Sequence, residues 1–200
     1  NQRGLQIDAS FWHVRGLVAE GSADNGIYVA GNSNVIERCI TRKNRDTGLQ
    51  LGRYASSASS IADWPANNLI LNCESYDNYD APPGSGENAD GFAAKLTVGP
   101  GNVFRGCVAH HNIDDGWDLY TKTETGAIGV VTIEDSLAYN NGTLSDGSQA
   151  GAGDKVEVIG YGFHDGVILR AYKSGQPDTF VDTPVNNKDR LSLYSSEKLL

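Results

Sequence analysis

The segments Asn34-Val35-Ile36-Glu37-Arg38-Cys39, Asn68-Leu69-Ile70-Leu71-Asn72-Cys73 and Asn102-Val103-Phe104-Arg105-Gly106-Cys107 each open on asparagine, close on cysteine and stand 34 residues apart. Five residues after each cysteine comes another asparagine, at Asn44, Asn78 and Asn112. A fourth copy, Val131-Thr132-Ile133-Glu134-Asp135-Ser136, carries serine in the cysteine column and Asn141 five residues later, and a looser copy runs from Phe11 to Gly21. Self-similarity with a period of about 20–50 residues marks a solenoid, in which each unit buries its apolar face only by stacking on its neighbours.

The units are too short for helical repeats and lack a leucine consensus. They read as brief strands of alternating apolar residues between Gly, Asn and Asp turns. An all-β fold, a right-handed parallel β-helix, fits this pattern. Its coils run through Asn25-Gly26-Ile27-Tyr28-Val29, Thr47-Gly48-Leu49-Gln50-Leu51, Asp90-Gly91-Phe92-Ala93-Ala94 and Asp115-Gly116-Trp117-Asp118-Leu119. In that register the cysteines form an inward column, and the asparagines after them a turn ladder whose amides hydrogen-bond along the axis. Three cysteines without metal-ligand spacing do not suggest a disulfide framework.

Coil length varies at expandable turns, notably Tyr54 to Trp64 and Ala81 to Glu87, and such loops commonly wall a binding groove. The β-helix core is expected over residues 1–147. Residues 148–200 form a C-terminal segment of further coils or a divergent end, with strands at Val156 to Ile159 and Gly166 to Ala171. The 24 glycines, the absence of methionine and the lack of readable helix agree with a turn-rich β chain. A net charge of −9, from 25 acidic and 16 basic residues, disfavours nucleic acid, and no run suggests a membrane span. A secreted, extracellular or periplasmic monomer is the expectation; Asn1-Gln2-Arg3-Gly4 has no leader character, so any signal peptide was removed or lies upstream.

Function is read from the acidic turns before two stacked strands. One strand spacing, roughly 4.8 Å, separates Asp90 from Asp115 in the proposed register. Alternation puts Trp117 and Leu119 inside and Asp118 outside, next to the turn carboxylates. Asp90, Asp114, Asp115 and Asp118 therefore converge, and such a group repels itself unless protonated or bridged by a hard cation such as calcium. Lys95, in the Tyr120 row, places a cation beside the patch. Read singly, each Asp-Gly pair is an ordinary turn whose carboxylate caps backbone N–H groups. Asp46 shares the Asp114 column two coils away, where it orders a turn or touches substrate. No EF-hand spacing is present, and His13, His110, His111 and His164 show no zinc spacing.

The run from Glu87 through Lys95 and from Asn112 through Tyr120 resembles the pectate lyases of polysaccharide lyase family 9, as do Asp24 to Val29 and Asn44 to Gln50. The resemblance covers roughly residues 5–147. It implies a right-handed parallel β-helix whose calcium is held by the four aspartates matching Asp90, Asp114, Asp115 and Asp118. The implied substrate is polygalacturonate or pectin, cleaved by β-elimination with a lysine as Brønsted base. The departure lies at that base. The family's Asn-Gly-Phe-Lys type segment is matched here by Tyr161-Gly162-Phe163-His164, whereas Lys155 follows Gly151-Ala152-Gly153-Asp154 at about the family's separation from the aspartates. Lys155 is the preferred base, with His164 and Lys95 as alternatives. The chain is shorter than a whole domain of that family, so a fragment or a variant with altered C-terminal coils is expected. The rival readings are a carbohydrate-binding β-helix without a base and a hydrolase with an acid and base carboxylate pair.

Overall fold

A computed structural model describes residues 2–80, 86–148 and 151, together with the strands at 156–159, 167–171, 179–183 and 190–192. The short apolar runs become three-residue or four-residue strands in successive coils. These are β1 (Leu5–Ile7), β2 (His13–Arg15) and β3 (Val18–Glu20), then β4 (Ile27–Val29), β5 (Val35–Glu37) and β6 (Ile40–Arg42), then β7 (Leu49–Leu51), β8 (Leu69–Leu71) and β9 (Glu74–Tyr76). There follow β10 (Phe92–Ala94), β11 (Asn102–Arg105) and β12 (Val108–His110), then β13 (Trp117–Tyr120), β14 (Val131–Glu134) and β15 (Leu137–Tyr139). Beyond them lie β16 (Val156–Ile159), β17 (Val167–Ala171), β18 (Thr179–Thr183) and β19 (Arg190–Ser192).

Every third strand pairs with its counterpart one coil on. This generates a first sheet β1-β4-β7-β10-β13-β16-β19, a second β2-β5-β8-β11-β14-β17-β18 and a third β3-β6-β9-β12-β15. Pairing is parallel throughout except where β18 and β19 return antiparallel on β17 and β16. The fold is a right-handed parallel β-helix, as the repeat implied. Among the described residues the only helical turn is a 3-10 turn at Ile61–Asp63, inside the loop between β7 and β8.

The columns have distinct physical jobs. Inward residues of the first sheet (Ile27, Leu49, Phe92, Trp117) and of the second (Ile36, Ile70, Phe104, Ile133) meet in one core, where Phe92 stacks on Trp117 at 5.0 Å. Cys39, Cys73 and Cys107 are buried and reduced, and each sulfur lies under the backbone of the neighbouring coil, as in the 3.4 Å bond from the Cys39 N–H to Cys73 Sγ. Contact with Cys107 pushes the Cys73 thiol up to about 12, so the column is protonated packing. Ser136 fits the same column because its hydroxyl accepts from the Cys107 N–H at 3.1 Å and donates to the Glu134 carbonyl at 2.8 Å.

Asn44, Asn78, Asn112 and Asn141 form the expected ladder, with Nδ2 to Oδ1 distances of 2.9, 2.8 and 3.0 Å. The first ladder follows the third-sheet strands, and a second, through Asn34, Asn68 and Asn102, stands where the second-sheet strands begin. The residue before each ladder or cysteine column lies in the left-handed region, as at Ser33 (φ 55), Arg38 (φ 51) and Lys43 (φ 54) in one coil. That single-residue reversal turns each tight corner. The ladder amides and sulfurs absorb backbone groups that the reversal frees from the sheets.

Asn78→Ala should therefore cost roughly 1–3 kcal/mol in a urea melt, since it leaves the buried Asn44 N–H without its acceptor, Asn44 Nδ2 with the Ala19 carbonyl alone and Asn112 Oδ1 with the residue-78 N–H alone. A loss below that of an ordinary surface asparagine would show that the ladder is dispensable.

Glycine opens the first-sheet strands because of crowding. A Cβ at Gly48 would come within 2.1 Å of Ser75 Oγ and 2.5 Å of Thr41 Oγ1, and one at Gly91 within 2.8 Å of Ala109 Cβ. The coil is pinched where the first and third sheets meet. Only glycine facing small residues closes that corner, which delivers the following strand and the preceding acidic turn to one defined edge.

Candidate metal centre and groove

The acidic turns are seated by this packing. Parallel pairing of β10 with β13 sets Phe92 opposite Trp117 and Ala93 opposite Asp118, and the Gly91 N–H donates to the Asp115 carbonyl at 2.8 Å. Asp90 and Asp115 thus occupy one row on adjacent coils. Behind them Ala89, Ile113 and Leu144 form a small apolar cluster with Tyr79 against it, and the Asp80 carboxylate accepts from the Gly86 and Glu87 N–H groups and Asn88 Nδ2. The turn that carries Asp90 is therefore tied down from both sides.

One carboxylate oxygen each from Asp90, Asp114 and Asp115 lie within 4.8 Å of one another, and all three residues are buried. Asp118 stands beside them in a different relation: its Oδ2 is 2.9 Å from Lys95 Nζ, which also lies 2.9 Å from Asp90 Oδ2. Thr47, one coil earlier in the Asp90 row, donates its hydroxyl to Asp90 Oδ2 at 2.8 Å. Three of the four aspartates expected as ligands thus form a tight trio, and the fourth is held at its edge by a lysine.

Burial pushes the Asp90 carboxyl up to about 6, with Asp118 adding to the effect and Lys95 opposing it. For Lys95, burial works against the charged form, but Asp118 and Asp90 outweigh it and hold the ammonium well above its ordinary range. Lys95 is thus held as a cation between Asp90 and Asp118. Asp46 orders its turn, accepting from the Thr47 N–H at 2.6 Å and Asn25 Nδ2 at 3.2 Å, and burial raises its pKa.

Three buried carboxylates offer a hard, all-oxygen, anionic donor set, the chemistry that calcium selects. Lys155 and His164 lie outside the described residues. Thr47 and Asp80 went unnoticed in the sequence. Thr47 had a signal, since it shares the Asn25–Asp90–Asp115 row, whereas Asp80 bonds around a loop of unpatterned sequence.

The outward face of the first sheet continues from this centre as a polar strip through Gln50, Tyr28 and Gln6, in register with Ala93 and Asp118. Arg3 lies flat on Tyr28, its guanidinium carbon 3.6 Å from the ring centroid, and the Tyr28 hydroxyl donates to the Arg53 carbonyl at 2.9 Å.

A family model described as "Pel9A-like, right handed beta helix region" matches residues 1–169, beyond the stretch where the motifs were legible. A pectate lyase L of Paenibacillus polymyxa (strain SC2) is 58% identical over 165 residues, covering 78% of this chain and 36% of the relative. A pectate disaccharide-lyase of Dickeya chrysanthemi is 36% identical over 179 residues, covering 88% of this chain and 22% of the relative. The crystal structure of pectate lyase Pel9A superposes with a TM-score of 0.60 at 32% identity, covering 80% of this chain and 36% of that one. The chain thus spans about a third of the length of Pel9A and of the Paenibacillus relative. With its parallel coils, its paired acidic turns and a match over most of its length, this chain belongs to the Pel9A-like right-handed β-helix family.

Proposed function

We propose that this β-helix carries the centre of a secreted, calcium-dependent pectate lyase that cleaves α-1,4-galacturonan by β-elimination. The observation that carries the reading is the buried trio Asp90, Asp114 and Asp115 beside the Lys95–Asp118 pair. The relatives named pectate lyase support the substrate class. Asp90, Asp114 and Asp115, with Asp118 at the edge, would hold calcium, whose charge would draw in a galacturonate carboxylate and acidify the adjacent C5 proton.

The chain's own residues do the rest. Thr47 and Lys95 fix the Asp90 carboxylate, and Lys95 offsets part of the negative charge that would repel a uronate. Lys155 is proposed as the base: its neutral amine takes the C5 proton, the C5–H electron pair becomes the C4–C5 double bond, and the C4 oxygen leaves and is protonated by water. Incubation with polygalacturonate tests the whole reading. A calcium-dependent rise in the ultraviolet absorbance of the unsaturated uronide is expected; reducing ends without that chromophore would indicate hydrolysis, and binding without product a base-deficient β-helix.

The metal also has a stability signature. Asp90 in the calcium-free protein titrates above its unfolded value of about 3.9, so its contribution to stability is present below that value and lost as pH rises through about 6. Calcium binds the ionised form. The calcium-induced rise in melting temperature should therefore be small near pH 4 and grow through pH 6. A calcium effect that is absent at neutral pH, or equal at both, would count against the site.

A further inference from the structure

We propose that the cleft of about 600 Å3 lined by Gln2, Arg3, Ala23, Asp24, Asp46 and Tyr54 is a distal subsite for a uronate unit of an oligosaccharide that also engages the acidic centre. The proposal rests on the galacturonan reading and names where the far end of the chain is held.

Register places the cleft on the same edge as the acidic trio. Consecutive backbone hydrogen bonds, from Gly4 to Asn25, Gly26 to Thr47, Gly48 to Asp90 and Gly91 to Asp115, set Arg3, Asn25, Thr47, Asp90 and Asp115 in one row along the axis. Arg3 therefore stands three strand spacings, roughly 14 Å, from Asp90. A single sugar cannot touch both, whereas an extended oligosaccharide lying along the axis can. The adjoining row, Gln2, Asp24, Asp46, Ala89 and Asp114, supplies the cleft's carboxylates at one end and a metal-centre carboxylate at the other.

The lining suits one hydroxylated, anionic ring. Carboxylates of Asp24 and Asp46 accept from sugar hydroxyls, and the Arg3 guanidinium meets the uronate carboxylate. Its plane is set in advance: it stacks on Tyr28, bonds to Gln6 Oε1 at 2.9 Å and stands 3.5 Å from Asp24 Oδ2. Such preorganisation lowers the entropic cost of gripping a carboxylate. Tyr54 is 61% exposed at the cleft wall, which leaves aromatic surface for a sugar ring. In a chain of net charge −9, a cation fixed at this groove end gives a polyanion a reason to bind there.

The test is a series of oligogalacturonates of increasing length, with calcium, on the intact chain and on Tyr54→Ala and Arg3→Gln. For the unaltered protein, KM should fall once the oligomer is long enough to span both sites. For each variant the KM ratio to the unaltered protein should rise with length, reaching about three- to tenfold for the long oligomers, the loss expected of one aromatic contact. For Arg3→Gln the salt dependence of binding should also weaken. A ratio independent of length, or no change in either variant, overturns the subsite. If the unaltered protein forms no unsaturated product, the lyase reading fails on its own. Calorimetric binding of the longest oligomer then decides the subsite: weaker binding in both variants supports it, and unchanged or absent binding rejects it.

Discussion

Asp115→Ala is expected to lower elimination by at least about 10²–10³-fold at ordinary calcium concentrations, the scale of losing one main electrostatic contact to a transition-state charge. The same substitution should abolish the rise in melting temperature that calcium gives the unaltered protein. In calcium-free buffer, however, the variant should melt no lower than its parent. Asp115 is buried, with a carboxylate oxygen within 4.8 Å of those of Asp90 and Asp114, so removing it relieves like-charge repulsion within the trio. The two melting curves separate the competing roles. If Asp115 serves only to cap its turn, Ala lowers the melting temperature equally with and without calcium, and the metal assignment fails. Asp118→Ala should behave more mildly toward calcium, because its Oδ2 is held by Lys95 outside the trio. Calcium titration by calorimetry would rank the two.

The parts of this architecture that were readable in advance are those that recur. The 34-residue spacing of Cys39, Cys73 and Cys107 placed the second-sheet strands and the Asn44 ladder, because a solenoid repeats its corner chemistry in every coil. The stacking of Asp90 on Asp115 followed from the same register. The purpose of the glycines was less legible. In sequence Asp90-Gly91 and Asp115-Gly116 look like turns, yet Gly91 is needed because a Cβ there would press on Ala109 from the opposite wall. Contacts that skip coils left no trace in the pattern. Ser145 donates twice to the Asp77 carboxylate, at 2.8 Å from both its N–H and its hydroxyl, across 68 residues of chain. The pairing of Lys95 with both Asp90 and Asp118 was foreshadowed only as a cation near acids, since a register gives rows but not the reach of a flexible side chain. The strands after Asn141 were hardest: the Asn and Cys columns are not legible there, while β16 and β17 continue the sheets on apolar pattern alone.

The base is where the family pattern and this sequence diverge, and there the expected effect is largest. Lys155→Ala should reduce the elimination rate by about 10²–10⁴-fold, the usual worth of a positioned proton acceptor. Calcium affinity and oligogalacturonate binding should persist, since the amine interacts with the substrate chiefly as the C5 proton departs. The pH–rate profile then distinguishes the candidates. A lysine must lose a proton before it can accept one, so its rate keeps rising into the alkaline range, whereas a histidine such as His164 is already neutral above about pH 7.5 and its profile levels off there. Lys95 makes a third, contrasting prediction. Bound by Asp90 and Asp118, it is held as a cation in the calcium-free protein. Lys95→Gln should therefore weaken the seating of Asp90, and with it calcium binding, without shifting the pH at which the rate rises. If Lys95→Gln instead removed the alkaline rise while calcium binding survived, Lys95 would be the base and its pairing a resting state. Normal turnover in both Lys155→Ala and His164→Ala would reject both of those candidates.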